Sequence, residues 1–309
     1  MICVAAFYKF IPLSDISFLR EELYQKLKGL KIKGTILLAS EGINGTIAGE
    51  KSAVEGFFNQ LQSSSENLKI IPKYSYINFN PFPRLKVKLK KEIVSLGKKD
   101  INPIQDCGEY VDPKDWNSFI SQDDVMLIDT RNDYEYSIGN FPGSINPQTN
   151  TFRELPDFLN KLLDQDTSKE TKVAMYCTGG IRCEKSTALF KQAGFKNVFH
   201  LKGGILGYLS NVSAKESLWQ GECFVFDDRV SVNHSLEKGS YDMCHGCRNP
   251  ITDEDKSSIH YVRGVSCPSC FDKKTSEQKK RYADRQKQVD LAKAKNGTHI
   301  GPKEEVYPK

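Results

Sequence analysis

Near the middle of the chain an unbroken apolar run, Val173-Ala174-Met175-Tyr176, leads directly into Cys177-Thr178-Gly179-Gly180-Ile181-Arg182-Cys183, and a helical stretch follows from Glu184 to Gln192. A short continuous apolar run is what a strand buried on both faces requires, and such strands belong to parallel sheets covered by helices. A strand of this kind carries Cys177 to the carboxyl edge of the sheet, where open α/β folds place their ligands. The two glycines let the backbone curl so that successive N–H groups point inward, and the positive end of the next helix backs them. Thr178, Gly179, Gly180, Ile181 and Cys183 thus form an anion-cradling loop. Inside it Cys177 gains a lowered pKa and a populated thiolate, and Arg182 adds a fixed cation. The cradle suits a thiolate or a persulfide, with Cys177 as the nucleophile. The alternative is a buried structural thiol at a tight turn, but strand, Gly-Gly, Arg and helix at this spacing favour the reactive one.

The same logic organises the rest of the chain. Residues 1–95 run as strand (Ile2 to Tyr8), helix (from Ser14 as N-cap to about Lys28), and two strands (Lys33 to Ala39, Ile43 to Ala48) about the turn Ser40-Glu41-Gly42. A second helix (Ser52 to about Gln62) and a last strand (Leu68 to Phe79) complete it. That order, β-α-β-β-α-β, is the ferredoxin-like split motif of an α+β domain. After the Pro-rich Asn80-Pro81-Phe82-Pro83, the alternating Leu85-Lys86-Val87-Lys88-Leu89-Lys90 suits an edge strand or connecting arm. Residues 105–217 alternate strands and helices, among them Val125 to Asp129 and Val198 to Leu201, and so predict a central α/β domain with a parallel sheet. The Glu41-Gly42-Ile43-Asn44-Gly45 turn is either functional or a hairpin's demand for glycine.

Residues 218–309 form a Cys-rich, basic, helical tail whose last dozen residues are expected to be poorly ordered. Cys244, Cys247, Cys267 and Cys270 make two Cys-x2-Cys knuckles, a spacing that supplies four thiolates to a closed structural Zn2+. An empty thiol cluster or two disulfides are the alternatives. His245 sits between two of these ligands as a supporting or surface residue, while Cys3, Cys107 and Cys223 lack partner spacing and are expected to pack. From Phe271 to Lys309 there are eleven Lys or Arg against six Asp or Glu, which matches the +5 of the whole chain. The run from Lys273 to Lys295 is a solvated helix face or a phosphate-contacting one.

Nine cysteines in 309 residues, with no export signal at Met1 to Phe10, argue against a disulfide framework and for a cytoplasmic protein. No segment is long and apolar enough to span a membrane. Neither a His/His/carboxylate metal spacing nor a flavin or nicotinamide fingerprint is apparent.

Three segments join the cysteine loop in a wider resemblance. Asp129-Thr130-Arg131-Asn132-Asp133-Tyr134-Glu135-Tyr136 and Gly139-Asn140-Phe141-Pro142-Gly143-Ser144, with His200-Leu201-Lys202-Gly203-Gly204-Ile205, resemble the rhodanese homology domain. Asn140 and Ser144 replace its common His and Ala at positions without expected chemistry. Asp129 and Arg131 are read as supports of neighbouring loops. Four residues separate Cys177 from Arg182. Phosphatases on related loops resemble Cys-x5-Arg, a wider ring for phosphate, so the shorter loop favours a single sulfur.

Together with Gly34-Thr35-Ile36-Leu37-Leu38-Ala39-Ser40-Glu41-Gly42-Ile43-Asn44-Gly45-Thr46 and the Cys-x2-Cys pairs, these segments resemble the bacterial tRNA uridine(34) hydroxylase family over nearly the whole length. The first domain also looks acylphosphatase-like, without that enzyme's Arg/Asn signature. The resemblance implies an oxidoreductase that converts wobble uridine of tRNA to 5-hydroxyuridine with O2 as co-substrate, and it makes Cys177 the active cysteine. A sulfur donor is the further partner implied by a persulfide. A thiosulfate sulfurtransferase is the competing reading. Cys183 is either a resolving thiol or packed in the first turn of its helix.

Overall fold

The computed structural model describes residues 1–64, 69–98, 100–165 and 167–295, so the tail expected to be poorly ordered lies outside the described residues. The N-terminal domain is built from β1 (Ile2–Phe10), α1 (Ile16–Gly29), β2 (Lys33–Ala39), β3 (Gly42–Glu50), α2 (Lys51–Ser64), β4 (Lys73–Ile77) and β5 (Leu85–Leu89). Its sheet has the order β4-β1-β3-β2-β5, antiparallel except where β5 runs parallel to β2 along the edge. The β-α-β-β-α-β order is as expected, and the Lys-rich strand does form an edge. Alternation decides which face each side chain joins: Cys3, Ala5 and Phe7 of β1 face a core with Leu23 and Leu27 of α1 and Phe57 and Phe58 of α2, while Val4 packs with Ala48 and Phe82 on the other face.

Local expectations shift in two places here. Asp15, not Ser14, caps α1 by accepting the Phe18 N–H at 3.1 Å, because its carboxylate lies three residues before that amide. The last strand is shorter than Leu68 to Phe79 and begins only at Lys73. The β2–β3 hairpin closes through Ser40 and Glu41. Gly42 is required because a Cβ there would lie 2.1 Å from the Lys9 carbonyl oxygen of β1.

The central domain comprises α3 (Pro103–Asp106), β6 (Glu109–Val111), α4 (Pro113–Ile120), β7 (Val125–Asp129), α5 (Asp133–Tyr136), β8 (Gly139–Asn140), α6 (Leu155–Asp164), β9 (Lys172–Tyr176), α7 (Ile181–Gln192), β10 (Val198–Leu201) and α8 (Gly204–Asn211). Strands β6-β10-β9-β7 form an all-parallel sheet. Val173 and Met175 of β9 point into a core with α6 and α7. Ala174 and Tyr176 point into the opposite core, with Trp116 of α4 and Ile205, Tyr208 and Leu209 of α8. The unbroken apolar run is thereby explained, since both faces of β9 are dry. Helix α7 starts at Ile181 rather than Glu184, placing Arg182 and Cys183 in its first turn.

Beyond residue 217 the chain first continues this core. Trp219, Cys223, Val225 and Val232, from β11 (Gln220–Gly221), β12 (Cys223–Phe224), β13 (Ser231–Val232) and their connections, pack with α4 and α8. The small β14 (Asp242–Met243) and β15 (Pro250–Ile251) hairpin, α9 (Asp253–Ser257) and the long α10 (Ser276–Ala294) follow. Among the described residues no helix is long and apolar enough to cross a membrane.

Candidate active site around Cys177

Cys177 follows β9 directly and is fully buried. Its Sγ accepts the Gly180 N–H at 3.1 Å. The loop is gripped from outside by α8, where the Ile205 N–H donates to the Cys177 carbonyl and the Leu206 N–H to the Thr178 carbonyl. Gly180 caps α7 with φ +101, a left-handed conformation that an L side chain resists, and a Cβ there would meet the Tyr8 hydroxyl at 2.8 Å. Burial opposes ionisation of Cys177. Hydrogen bonds from Cys183, the charge of Arg182 and the loop amides outweigh it and hold the thiol down at about 5. Burial, and the hydrogen bond and charge of Cys177, push Cys183 the other way. The two thiols are thus pushed in opposite directions, and Cys183 Sγ lies 3.6 Å from Thr130 Oγ1.

Arg182 does not stand alone. Its Nη1 and Nη2 donate to Glu135 Oε2 and Oε1 at 2.6 and 2.7 Å, and its Nη2 donates to Thr178 Oγ1 at 3.2 Å. Glu135 is wholly buried at the end of the short α5. Burial pushes its carboxyl up, but Arg182 and then Arg131 hold it below the ordinary range. Such a planar two-pronged pair fixes the guanidinium beside the loop. Asp129 and Arg131 pair with each other, and Arg131 donates from Nη2 to the Gly139 carbonyl at 2.6 Å. That buried pair ties Arg131 to the neighbouring turn at Gly139.

Sequence reasoning gave Glu135 no role, although the residue lay inside the quoted motif. It also missed the groups that other parts of the chain send to this loop. Tyr8 of β1 and Tyr110 of β6 both donate to Glu184 Oε1, at 2.7 and 3.0 Å. Burial raises the Glu184 carboxyl above its usual range against these two hydrogen bonds. Lys73 of β4 donates to the Gly179 carbonyl at 2.7 Å. Lys185, almost wholly buried on α7, bonds Glu41, Glu92 and the Val94 carbonyl. Glu41 and Asn44 of the Glu41-Gly42-Ile43-Asn44-Gly45 turn in turn hold the backbone of Ile93. That turn is thus part of the docking between the two domains, and the cue in the sequence was its pairing of an acid with glycines. The exposed Phe226 ring lies 5.9 Å from the Arg182 guanidinium.

Away from the loop, Cys244, Cys247, Cys267 and Cys270 come together with all four sulfurs within 4.8 Å of one another. Sulfur separations of 3.9 Å (Cys244–Cys270), 3.7 Å (Cys247–Cys267) and 3.8 Å (Cys267–Cys270) are too long for disulfides. They match the edge of a tetrahedron with metal–sulfur bonds of about 2.3 Å, roughly 3.8 Å. The four residues could hold a metal ion. Arg285 of α10 donates to the His245 and Gly264 carbonyls, at 2.8 and 2.9 Å, and so packs the helix onto this module. Lys280, Arg281 and Lys287 stay exposed. Of the cysteines expected to pack, Cys3 and Cys223 are buried and Cys107 is half-buried.

Residues 2–93 match the model of the UPF0176 acylphosphatase-like domain, and residues 112–211 match that of the rhodanese-like domain. Among solved structures, the Alr3790 protein of Anabaena sp. is 18% identical over 36% of this chain and 91% of its own, with a TM-score of 0.30. A rhodanese-related protein of Thermoplasma volcanium is 20% identical over 33% of this chain and 91% of its own, with a TM-score of 0.27. A protein of Saccharomyces cerevisiae is 22% identical over 33% of this chain and 91% of its own, with a TM-score of 0.29. An acylphosphatase-like domain followed by a rhodanese domain that carries its loop cysteine is the architecture of the tRNA uridine(34) hydroxylase (UPF0176) family, and this chain has it.

Proposed function

We propose that the protein hydroxylates uridine 34 of tRNA at C5, using O2, with Cys177 as a persulfide-forming nucleophile. The observation that carries the reading is the buried Cys177 sulfur, which accepts the Gly180 amide at 3.1 Å in a rhodanese loop joined to the UPF0176 N-terminal domain. A sulfane-sulfur donor such as thiosulfate loads the site: the thiolate forms a bond to the outer sulfur, the donor's S–S bond breaks, and sulfite leaves with the electron pair. Hydroxylation places one oxygen atom of O2 on the base, and a two-electron donor reduces the other to water. The exposed Lys280, Arg281 and Lys287 offer charge for the phosphate backbone. The sulfur geometry of Cys244, Cys247, Cys267 and Cys270 supports Zn2+ as the ion they hold, in a structural role that keeps α10 in place.

The test is mass spectrometry of tRNA nucleosides from a host lacking this activity, complemented with wild type, Cys177→Ala or empty vector at matched protein levels. Return of 5-hydroxyuridine with wild type but not with the variant supports the reading; wild type that restores none refutes it. The rhodanese match favours one other reading, a sulfurtransferase. Rapid sulfur transfer from thiosulfate to cyanide by a protein that leaves tRNA unchanged would select it.

A further inference from the structure

The peptide between Gly179 and Gly180 is engaged at both ends. Its N–H, on Gly180, donates to Cys177 Sγ at 3.1 Å, while its carbonyl, on Gly179, accepts from Lys73 Nζ at 2.7 Å. In a trans peptide these two groups point in opposite directions, so a cation that grips the oxygen aims the N–H at the sulfur. The same grip polarises the amide and strengthens its donation, as linked hydrogen bonds do in a poorly solvated interior. Two glycines in a row would otherwise leave this plane free to turn.

Lys73 belongs to the other domain. Its ammonium lies over the Tyr8 ring, 5.2 Å from the centroid, and among the described residues it forms no ion pair. The other cations near the loop are already matched, Arg182 by Glu135 and Arg131 by Asp129. Burial pulls the Lys73 ammonium down, while the charges of Cys177 and Glu184 push it back up. We propose that Lys73 is a positioning residue of the sulfur site: by holding the Gly179–Gly180 peptide it directs an amide at Cys177 and makes the thiolate depend on the docked N-terminal domain. The inference rests on Cys177 being the reactive sulfur and not on the identity of the acceptor.

The groups facing Cys177 are Arg182, Cys183 and Glu184 of α7, Lys73 of β4 and Tyr8 of β1, with Glu135 behind Arg182. The experiment is a pH titration of the far-ultraviolet thiolate absorbance, taken on the full chain as the difference from the matching Cys177→Ser protein. The wild-type midpoint is expected at about 5. Lys73→Met should raise it by about one unit, and Lys73→Arg should return it most of the way, which a packing defect would not allow. Lys73→Gln keeps a donor without charge and should fall between; it serves in place of Lys73→Met if that variant does not fold. Lys185→Met removes another cation of the same domain contact, away from the loop and with the Lys73–Gly179 bond left in place, and should leave the midpoint unchanged. A Lys73→Met midpoint equal to wild type overturns the inference, as does an equal shift in Lys185→Met. An ordinary thiol midpoint in wild type sinks the reactive-thiolate reading itself.

Discussion

Glu135 shows how much one buried side chain decides at this site. Its carboxylate receives both arms of Arg182, caps its own short helix through the Asn132 N–H at 3.1 Å, and accepts from the Thr178 hydroxyl at 3.3 Å. Removing its charge strands a guanidinium that is 8% exposed. Glu135→Gln is therefore expected to cost about 3–5 kcal/mol in stability, read from the midpoint of urea unfolding at constant slope. A loss below about 1 kcal/mol would mean that the pair is solvated like a surface one. Cys177 and Arg182 were legible in the sequence because strand, glycines and arginine are adjacent in it. Glu135, 47 positions before Arg182, was legible only as a letter in a motif.

At the scale of elements, β10 carries a buried titratable group that makes stability depend on pH. His200 is fully buried beside Tyr110, with ring centroids 4.2 Å apart, and burial pushes its pKa down to about 4. An unfolded histidine titrates near 6.5. The folded value is the lower one, so the unfolded chain binds the extra proton in this window. The contribution of neutral His200 is complete above about 6.5 and is lost as pH falls toward about 4, to the extent of about 3 kcal/mol. His200→Phe should lose less stability than wild type between those limits, measured by denaturant unfolding at several pH values; parallel curves would contradict it. The periodicity of β1 and β9 was readable because each side chain's face follows from its position in the strand. The start of α7 was misplaced because Gly180 can adopt a positive φ, and so the helix opens three residues earlier than Glu184.

For the whole molecule, function depends on parts that meet only in three dimensions. The N-terminal domain reaches the sulfur loop through Tyr8, Lys73 and the Lys185–Glu41–Glu92 cluster, and the C-terminal segment adds Phe226 beside Arg182. The four-cysteine module is tied to α10 through Arg285. On the proposed zinc and tRNA roles, Cys267→Ser is expected to abolish retention of about one Zn2+ per chain and to weaken tRNA binding, while thiosulfate still loads Cys177. Metal analysis and intact-protein mass together check it. Unchanged zinc content would place the ion elsewhere, and a parallel loss of sulfur loading would show that the module supports the central domain as well.

The sequence by itself determined the order of the domains, the parallel sheet, the cysteine loop and the four-cysteine cluster. Each of these is written in local spacing: residues that act together lie within a few positions, repeat with the period of a strand or helix, or, for the cysteines, fall in two Cys-x2-Cys pairs. Only the tertiary structure decided that Glu135 holds Arg182, that Glu184 lies under two tyrosines, and that Lys73 grips the loop. These partners lie 47, 176, 74 and 106 positions apart. Nothing in local propensity fixes such distances. They are set by how the elements of the central domain pack together and how the N-terminal domain docks on them, which brings a buried charge to whichever partner the facing element presents.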